Sequence, residues 1–256
     1  MLGRFFGKQG SLPDFMIIGA PKCGTTSLFE YLCEHPNVAR PRRKEIHYFD
    51  EKFERGLAWY RRHFPLVDKP RITGEATTAY LFAKDAPSRA AALVPNAKLI
   101  AVLRDPVRRV ISHYWHNKRL GRARGDFKSY FLEALSPNAD RESNQARQFI
   151  NYPVQWGFYK EQIERWFGHY PRDQFLFLRF EDLASDGVAQ TQKVFDFLGL
   201  PSAAIDARKV FNAGPSYPVE NNDITRRLAE IYREKNDGLD RLIGPQFTWE
   251  TRHPAN

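Results

Sequence analysis

Residues 15–32, FMIIGAPKCGTTSLFEYL, constrain the fold more than any other stretch of this sequence. The apolar run at 16–18 is continuous rather than alternating, which is typical of a strand buried on both faces of a parallel sheet. Gly19 and Gly24 then bracket a short loop, and a helical pattern follows at 25–34. A glycine-flanked turn before a helix N-terminus leaves backbone N–H groups free to bind a phosphate. The stretch therefore predicts a strand, an anion-binding loop and a helix.

The lysine of this loop is displaced. Loops that bind nucleoside triphosphates carry lysine directly after the second glycine, but here that position holds Thr25, and the lysine is Lys22. A second apolar strand, KLIAVL at 98–103, ends in Arg104, where such enzymes place an aspartate that helps to hold magnesium. The pattern predicts phosphate-binding groups, and we expect no metal site beside them.

Apolar strands alternate with helical patterns along the chain. Strands are predicted at 14–19, 71–76, 98–103 and 174–178, and helices at 25–34, 56–63, 87–94, 106–117, 156–167, 187–198 and 222–235. This alternation predicts an α/β fold, a single domain over 1–256 with a central, mostly parallel sheet flanked by helices. Residues 1–13 are expected to be a flexible N-terminus and 119–150 to be irregular. Ligands in such folds bind at the carboxyl ends of the strands, so Lys22 and Arg104 are expected at one site.

The charge of the chain indicates which classes of partner it can bind, and its cysteines indicate its cellular compartment. The net charge is +9, and basic residues concentrate at 40–44 and 104–124. These runs are either solvated faces or a positive surface that attracts a nucleotide, a nucleic acid or an acidic sugar polymer. Cys23 and Cys33 form no disulfide framework, which suits a reducing compartment. With no signal peptide and no apolar run near ~20 residues, the sequence predicts a cytoplasmic protein.

A second phosphate site is predicted beyond the strand at 98–103. Arg104 ends that strand, and Ser112 lies on the helix that follows. An arginine can grip a phosphate through two hydrogen bonds, and a serine hydroxyl can add a third. One ligand with a phosphate at each site would be a nucleotide bisphosphate.

Four motifs stand in order along the chain: GAPKCGTTSL, KEIHYFD, GEATTAY and LRDPVRRVISHY. Together they resemble the sulfotransferases that use 3′-phosphoadenosine 5′-phosphosulfate (PAPS), in particular the heparan sulfate N- and 3-O-sulfotransferase branch and its soluble bacterial relatives. The resemblance covers residues 14–115 and continues more weakly to the closing RLIGPQFTW. It implies an enzyme that takes PAPS as donor, releases adenosine 3′,5′-bisphosphate (PAP) and requires no metal.

The resemblance also implies roles for individual residues. The 5′-phosphosulfate would be held by the loop residues Lys22, Cys23, Gly24, Thr25, Thr26 and Ser27, and the 3′-phosphate by Arg104 and Ser112. Lys22 would contact the bridging oxygen on which leaving-group charge develops. Glu45 falls on the general base of the branch, and His47 on the base used by other branches, so both are candidates.

Two departures leave the acceptor open. The branch carries lysine in an E-K-T-P-x-Y segment near the acceptor, whereas this chain has Ala76 within EATTAY. The K-G-R segment of the branch is replaced by AGPSY at 213–217. The acceptor group is therefore a hydroxyl or an amine of a carbohydrate or a small molecule, with no nucleic-acid partner, and the oligomeric state stays open.

Two other functions fit part of the pattern. A small-molecule kinase with a divergent phosphate loop would depend on magnesium and ATP. A non-enzymatic binder of nucleic acid or acidic polysaccharide would show steep salt dependence without turnover. Neither accounts for the four ordered motifs, so the transferase is the leading hypothesis.

Overall fold

Five parallel strands form the central sheet. The computed structural model describes residues 10–123, 125–134, 153–207, 209, 211 and 222–249. Its strands are β1 Phe15–Gly19, β2 Val38–Ala39, β3 Ile72–Ala76, β4 Lys98–Leu103 and β5 Phe175–Arg179, in the order β2-β3-β1-β4-β5. The predicted α/β architecture with a parallel sheet is confirmed.

The central strand β1 explains why its sequence lacks alternation. All five of its residues are buried, because helices cover both faces of a parallel sheet. In register, Phe15 lies opposite Gly74 of β3 on one side and Lys98 of β4 on the other. A Cβ at Gly74 would stand 2.5 Å from the Phe15 ring. The glycine in β3 is thus required by the aromatic residue that begins β1.

Ten helices flank the sheet in the described residues. They are α1 Thr25–Leu32, α2 Leu57–Arg61, α3 Ala86–Leu93, α4 Pro106–Arg119, α5 Phe127–Ala134, α6 Tyr159–Phe167, α7 Phe180–Ser185, α8 Gly187–Leu198, α9 Asp223–Lys235 and α10 Leu239–Ile243. Short 3₁₀ turns occupy Phe53–Arg55, Gln155–Gly157, Arg172–Gln174 and Pro245–Phe247. None of the described helices is long and apolar enough to cross a membrane.

Four elements are absent from the sequence prediction: helix α5, strand β2 and the short helices α7 and α10. Helix α5 lies within 119–150, which was expected to be irregular; its Phe131 is fully buried in a second core formed with α4 and α9. Strand β2 has two residues, too few for any periodicity to reveal it. Of the N-terminus that was expected to be flexible, Ser11 is tied down, because its backbone N–H donates to the Pro65 carbonyl at 3.1 Å. The loop at 213–217 lies outside the described residues.

The order in which the strands are added changes from one side of β1 to the other. The chain passes from β1 to β3 on one side and then returns to β4 on the other. In open α/β sheets the carboxyl ends of the strands at such a switch form a crevice that binds ligands. The loop after β1, the start of α4 after β4 and the segment near the end of β3 therefore converge on one edge.

Candidate active site

The loop after β1 presents the N-terminus of α1. Gly24 precedes the helix with φ 76°, and no side chain caps the first turn. A Cβ at Gly24 would also lie 3.1 Å from the Phe180 ring. Both the left-handed backbone and the aromatic neighbour therefore favour glycine here. The first N–H groups of an uncapped helix have no intrahelical acceptor and attract an anion.

Lys22 lies in this loop as a half-buried cation. Its pKa is lowered to about 8, first by burial and then by the positive charges of Arg119 and Arg104. Within the ranges that the structure describes, its ammonium has no hydrogen bond or ion pair. A desolvated ammonium among other cations is costly, and a bound anion would relieve that cost.

The side chains that follow Lys22 differ in how they are used. The hydroxyls of Thr25 and Thr26 make no hydrogen bond within the described residues, whereas Ser27 Oγ accepts from the Phe211 backbone N–H at 3.0 Å. Burial raises the pKa of Cys23 to about 12, so its thiol is not ionised at neutral pH. Thr25 and Thr26 can offer hydroxyls to a ligand, while Cys23 and Ser27 are placed to offer backbone N–H groups.

Arg104 is brought against the loop, as predicted. Its Nη1 donates to the Lys22 carbonyl at 3.3 Å, and its guanidinium lies 4.4 Å from the centre of the Phe180 ring. Burial lowers the pKa of Arg104, although an arginine remains charged at any physiological pH. Its Nε is buried without a hydrogen-bond partner in the described chain. A guanidinium fixed on an aromatic face with an unused donor suits an anionic ligand.

Sequence reasoning missed the residues that hold Arg104 in place. The Tyr159 hydroxyl donates to the Arg104 carbonyl at 2.9 Å, and Glu181 Oε1 accepts the Asp105 N–H at 3.0 Å. Phe180, which touches both Gly24 and Arg104, is the first residue of α7. The sequence did contain a signal for Phe180: it follows the buried run QFLFL, just as Arg104 follows the run KLIAVL. Residues that follow parallel strands lie at the same edge of the sheet.

Helix α4 continues the site from Arg104. Asp105 caps it, since its Oδ1 accepts from the N–H groups of Val107 and Arg108 at 2.8 and 3.0 Å. Ser112 is half-buried on this helix, and its hydroxyl has no partner among the described residues. Burial, followed by the charge of Lys22, lowers the pKa of His116 to about 4. That imidazole is therefore neutral at physiological pH. Helix α4 lies close enough to the loop for the charge of Lys22 to act on His116.

The candidate base Glu45 lies beside the end of β3. Its backbone N–H donates to the Ala76 carbonyl at 2.8 Å. Its carboxylate accepts from Lys44 Nζ at 2.7 Å, from the Thr78 N–H at 3.1 Å and from the Thr78 hydroxyl at 3.2 Å. Lys44 thus supplies a cation to Glu45 in a chain that has Ala76 where the resembled branch carries lysine.

His47, the other candidate base, is held by a carboxylate. Its Nδ1 lies 2.8 Å from Asp50 Oδ2, and its Nε2 lies 3.7 Å from Glu45 Oε2. Burial lowers the pKa of His47, but the hydrogen bond to Asp50 and the charges of Asp50 and Glu45 outweigh it, so the pKa is raised above its ordinary value. Both candidates therefore face the same small volume.

The backbone singles out the three predicted catalytic residues. Lys22, Glu45 and His47 have φ angles of 70°, 55° and 60°, and they are the only non-glycine residues of the described chain with positive φ. Such a conformation costs about 1 kcal/mol or more for a residue with a side chain, and it concentrates at functional sites. The loop after β1 and the segment at 45–47 share this feature.

One group of side chains in the described residues has the spacing of metal ligands. Ligand atoms of His47, Asp50 and Glu51 lie within 4.8 Å of one another. His47 Nδ1 is already engaged by Asp50, so a cation here would have to displace that contact. The expectation that the reaction requires no metal stays a prediction.

Several arginines of the basic runs are engaged within the described residues. In the run at 40–44, Arg40 pairs with Glu30 and Arg43 donates to the Glu45 carbonyl. In the run at 104–124, Arg109 is fully buried and donates to the Pro153 carbonyl. Much of the basic excess therefore serves the fold or the site.

Comparison with known proteins identifies the family of this chain. A family model described as a sulfotransferase domain matches residues 12–236. Heparan sulfate glucosamine 3-O-sulfotransferase 3B1 of Mus musculus is 33% identical over 97% of this chain and 68% of its own length. The human bifunctional heparan sulfate N-deacetylase/N-sulfotransferase 3 is 32% identical over 91% of this chain and 30% of its own length.

A solved structure agrees with both. The sulfotransferase from Alicyclobacillus acidocaldarius superposes with a TM-score of 0.76 at 29% identity, over 91% of this chain and 96% of that one. The sequence match over most of the chain and the shared fold bear out the resemblance. The chain belongs to the sulfotransferase family, whose members are PAPS-dependent transferases.

Proposed function

We propose that this enzyme transfers the sulfuryl group of PAPS to a hydroxyl or amine group of a carbohydrate or small-molecule acceptor. The observation that carries the proposal is the pair of cations at the crevice. Lys22 and Arg104 follow neighbouring strands, touch through a 3.3 Å hydrogen bond and keep unused donors. The donors around Lys22 can bind one phosphate of a ligand, and those of Arg104 can bind a second.

The donor would be held by residues from two strand ends. Lys22, Thr25, Thr26 and the backbone N–H groups of Cys23, Gly24 and Ser27 would hold the 5′-phosphosulfate, and Arg104 with Ser112 would hold the 3′-phosphate. When bound, PAPS supplies the sulfuryl group and a phosphate leaving group. Lys22 is placed to stabilise negative charge on that leaving group, because its ammonium has no competing acceptor in the described chain.

Proton removal from the acceptor falls to the loop at 45–47. Glu45 is our first choice as general base, and its carboxylate is oriented by Lys44 and Thr78. His47 is the alternative, since Asp50 holds its Nδ1 and leaves Nε2 directed towards Glu45. Either group meets the geometric need for a base near the acceptor.

The relatives favour a sugar as the acceptor. The two named above are heparan sulfate enzymes by title, and we infer a carbohydrate hydroxyl or amine as the first class to test. Ala76 removes one cation from the acceptor side, but Lys44 brings another to within 2.7 Å of Glu45.

Binding measurements separate this proposal from its alternatives. We expect PAP to bind without magnesium and more tightly than AMP by roughly 10- to 100-fold, because its second phosphate adds charge-assisted hydrogen bonds of about 1.5–3 kcal/mol each. Calorimetry with PAP, AMP and ATP, with and without magnesium, tests this. Equal affinity for AMP, or a strict need for the metal, would favour the kinase. Steep salt dependence without sulfated product would favour the binder.

We infer a reducing compartment from the two cysteines. Cys23 and Cys33 are both free thiols, which suits a reducing environment. A cytoplasmic location stays a prediction, and localisation of the tagged full chain in its host would test it.

A further inference from the structure

A buried carboxyl group lies beneath the loop that carries both candidate bases. Glu75, on β3, is fully buried. It accepts hydrogen bonds from the hydroxyls of Tyr60, Thr77 and Tyr80, with Thr77 Oγ1 at 2.8 Å and Tyr80 Oη at 3.2 Å. None of the roles assigned above uses Glu75. Burying a carboxyl group costs free energy of folding, even when hydrogen bonds satisfy it. We therefore expect Glu75 to contribute to the fold or to the site.

Two of these hydroxyls bind the loop backbone in turn. Thr77 Oγ1 accepts the Ile46 N–H at 3.1 Å, and Tyr80 Oη accepts the Tyr48 N–H at 2.9 Å. A hydroxyl has one proton to donate. Because Glu75 accepts the protons of both hydroxyls, their oxygen lone pairs remain directed at the loop N–H groups.

The loop needs this support. Glu45 and His47 both hold left-handed backbone conformations, which persist only where surrounding contacts fix them. Ile46 and Tyr48 alternate with these two residues along the loop, and their N–H groups make the shorter contacts to Thr77 and Tyr80. The same two hydroxyls also accept the N–H groups of His47 and Phe49, at 3.5 and 3.4 Å. The contacts from beneath therefore fix the peptide plane that follows each candidate base.

We propose that Glu75 is a positioning residue: by accepting the protons of Thr77 and Tyr80, it aligns both hydroxyls to hold the loop that places Glu45 and His47. Glutamine has the same shape but presents a donor on one side. With glutamine, at least one hydroxyl must turn its proton towards a backbone N–H, and one loop contact is lost. The proposal rests on the proposed function for its effect on turnover, but its effect on the loop does not.

Two opposing effects set the pKa of Glu75. Burial raises the pKa of Glu75 to about 7, against the hydrogen bonds from Tyr60, Thr77 and Tyr80. The ionisable groups that face it are Tyr60 from α2, Tyr80 from the segment after β3, and Asp50 from the loop above. Protonation of Glu75 would remove one acceptor, as glutamine does.

The test reads the loop directly. Amide hydrogen exchange, followed by NMR, is compared in the wild type, Glu75→Gln and the exposed control Glu54→Gln. We expect exchange at Ile46 or Tyr48 to accelerate by about tenfold or more in Glu75→Gln, with α1 unchanged and PAP affinity within about twofold of wild type. Turnover per PAP-binding site should fall by about tenfold or more, since small misplacements of reacting groups are costly. The control should match wild type throughout.

Two further variants keep the proposal testable if Glu75→Gln does not fold. Thr77→Val should accelerate exchange at Ile46, with a smaller effect at His47 through its longer 3.5 Å contact, and leave Tyr48 unchanged. Tyr80→Phe should accelerate exchange at Tyr48, with a smaller effect at Phe49 through its 3.4 Å contact, and leave Ile46 unchanged. In the double variant Glu75→Gln/Thr77→Val, the effects on Ile46 should not add, because both act through one contact. Unchanged exchange at these amides in folded variants, or additive effects in the double variant, would overturn the proposal. Because exchange and PAP binding need no acceptor, absence of sulfuryl transfer would count against the proposed function only.

Discussion

The two halves of the crevice are built in opposite ways. On the donor side, the side chains of Lys22, Thr25 and Thr26 make no hydrogen bond or ion pair within the described residues, and Arg104 keeps a buried Nε unused. On the acceptor side, nearly every polar group is engaged: Glu45 by Lys44 and Thr78, and His47 by Asp50. One half is a set of free donors, and the other is a closed network.

The difference shows which interactions each half makes with a ligand. Free donors around a half-buried ammonium cost stability until an anion arrives, so the donor side should gain most from binding. The engaged carboxylate and imidazole are already oriented, so the acceptor side should change little on binding and act during the reaction. Substitution of the base should therefore lower turnover and substitution of Arg104 should lower affinity, while Lys22, which is placed at the leaving group, should affect both.

The largest effect should come from the acceptor side. Glu45→Gln keeps the shape but cannot take the proton, so we expect turnover to fall by about 10²- to 10⁴-fold while PAP affinity stays near wild type. The exposed Glu54→Gln serves as the control. If the variant keeps most of its turnover while His47→Ala is inactive, His47 is the base.

A pH profile sharpens that choice. A histidine base gives an acid limb in kcat that is lost in His47→Ala, and because the pKa of His47 is raised, the limb should lie above the ordinary histidine range. Protonation of Glu75, whose pKa is about 7, would give a limb in the same region. Profiles of Glu75→Gln and His47→Ala, measured at saturating donor, assign any limb to one of the two groups.

On the donor side, Lys22→Ala should lower kcat by about 10²-fold or more, the scale for loss of one group that stabilises developing charge. Its folding should not suffer, because the variant removes a half-buried ammonium that Arg119 and Arg104 repel. We expect the Tm of the ligand-free variant to equal or exceed that of the wild type. The exposed Lys84→Ala is the matched control, and near-normal turnover in folded Lys22→Ala would contradict the role.

Arg104→Ala tests the second phosphate site. We expect PAP to lose most of its advantage over AMP, a loss of roughly 10- to 100-fold in PAP affinity with AMP little changed. Arg108→Ala, an exposed arginine at the start of the same helix, should leave both affinities alone. A variant that still prefers PAP as wild type does would remove Arg104 from the site.

The two halves also differ in how far the sequence predicts them. The donor side is local: a strand, a glycine turn and a helix fix the loop, and β4 has the predicted bounds of 98–103. The residues that complete it come from far along the chain, as Phe180 and Glu181 do from α7. Adjacent residues give no periodic signal for such contacts, so they emerge only once β5 is paired with β4.

The acceptor side depends still more on distant contacts. The motif KEIHYFD identified Glu45 and His47, but their conformation depends on Thr77, Thr78 and Glu75, some 30 residues later in the chain. The segment GEATTAY entered the sequence analysis as one of the four motifs and for its missing lysine, with no role for its other side chains. Its glutamate, threonines and tyrosine support the loop, because the Thr77 and Tyr80 hydroxyls accept loop N–H groups and Thr78 binds the Glu45 carboxylate.

The smallest predicted effect is on the pH dependence of PAP binding. The pKa of Lys22 in the free protein is about 8, and a bound anion favours the ammonium form, so the pKa in the complex lies higher. Above pH 8 the free protein loses a proton that the complex retains, so Kd should rise, by up to about tenfold per pH unit. Phosphate monoesters titrate near pH 6, and the pKa values of His116 and Cys23 are about 4 and about 12, so none of these groups produces that rise.

Lys22→Arg, which stays charged, should bind PAP with a flat profile from roughly pH 7.5 to 9.5. A flat wild-type profile, or a rise that persists in Lys22→Arg, would separate Lys22 from the bound phosphate.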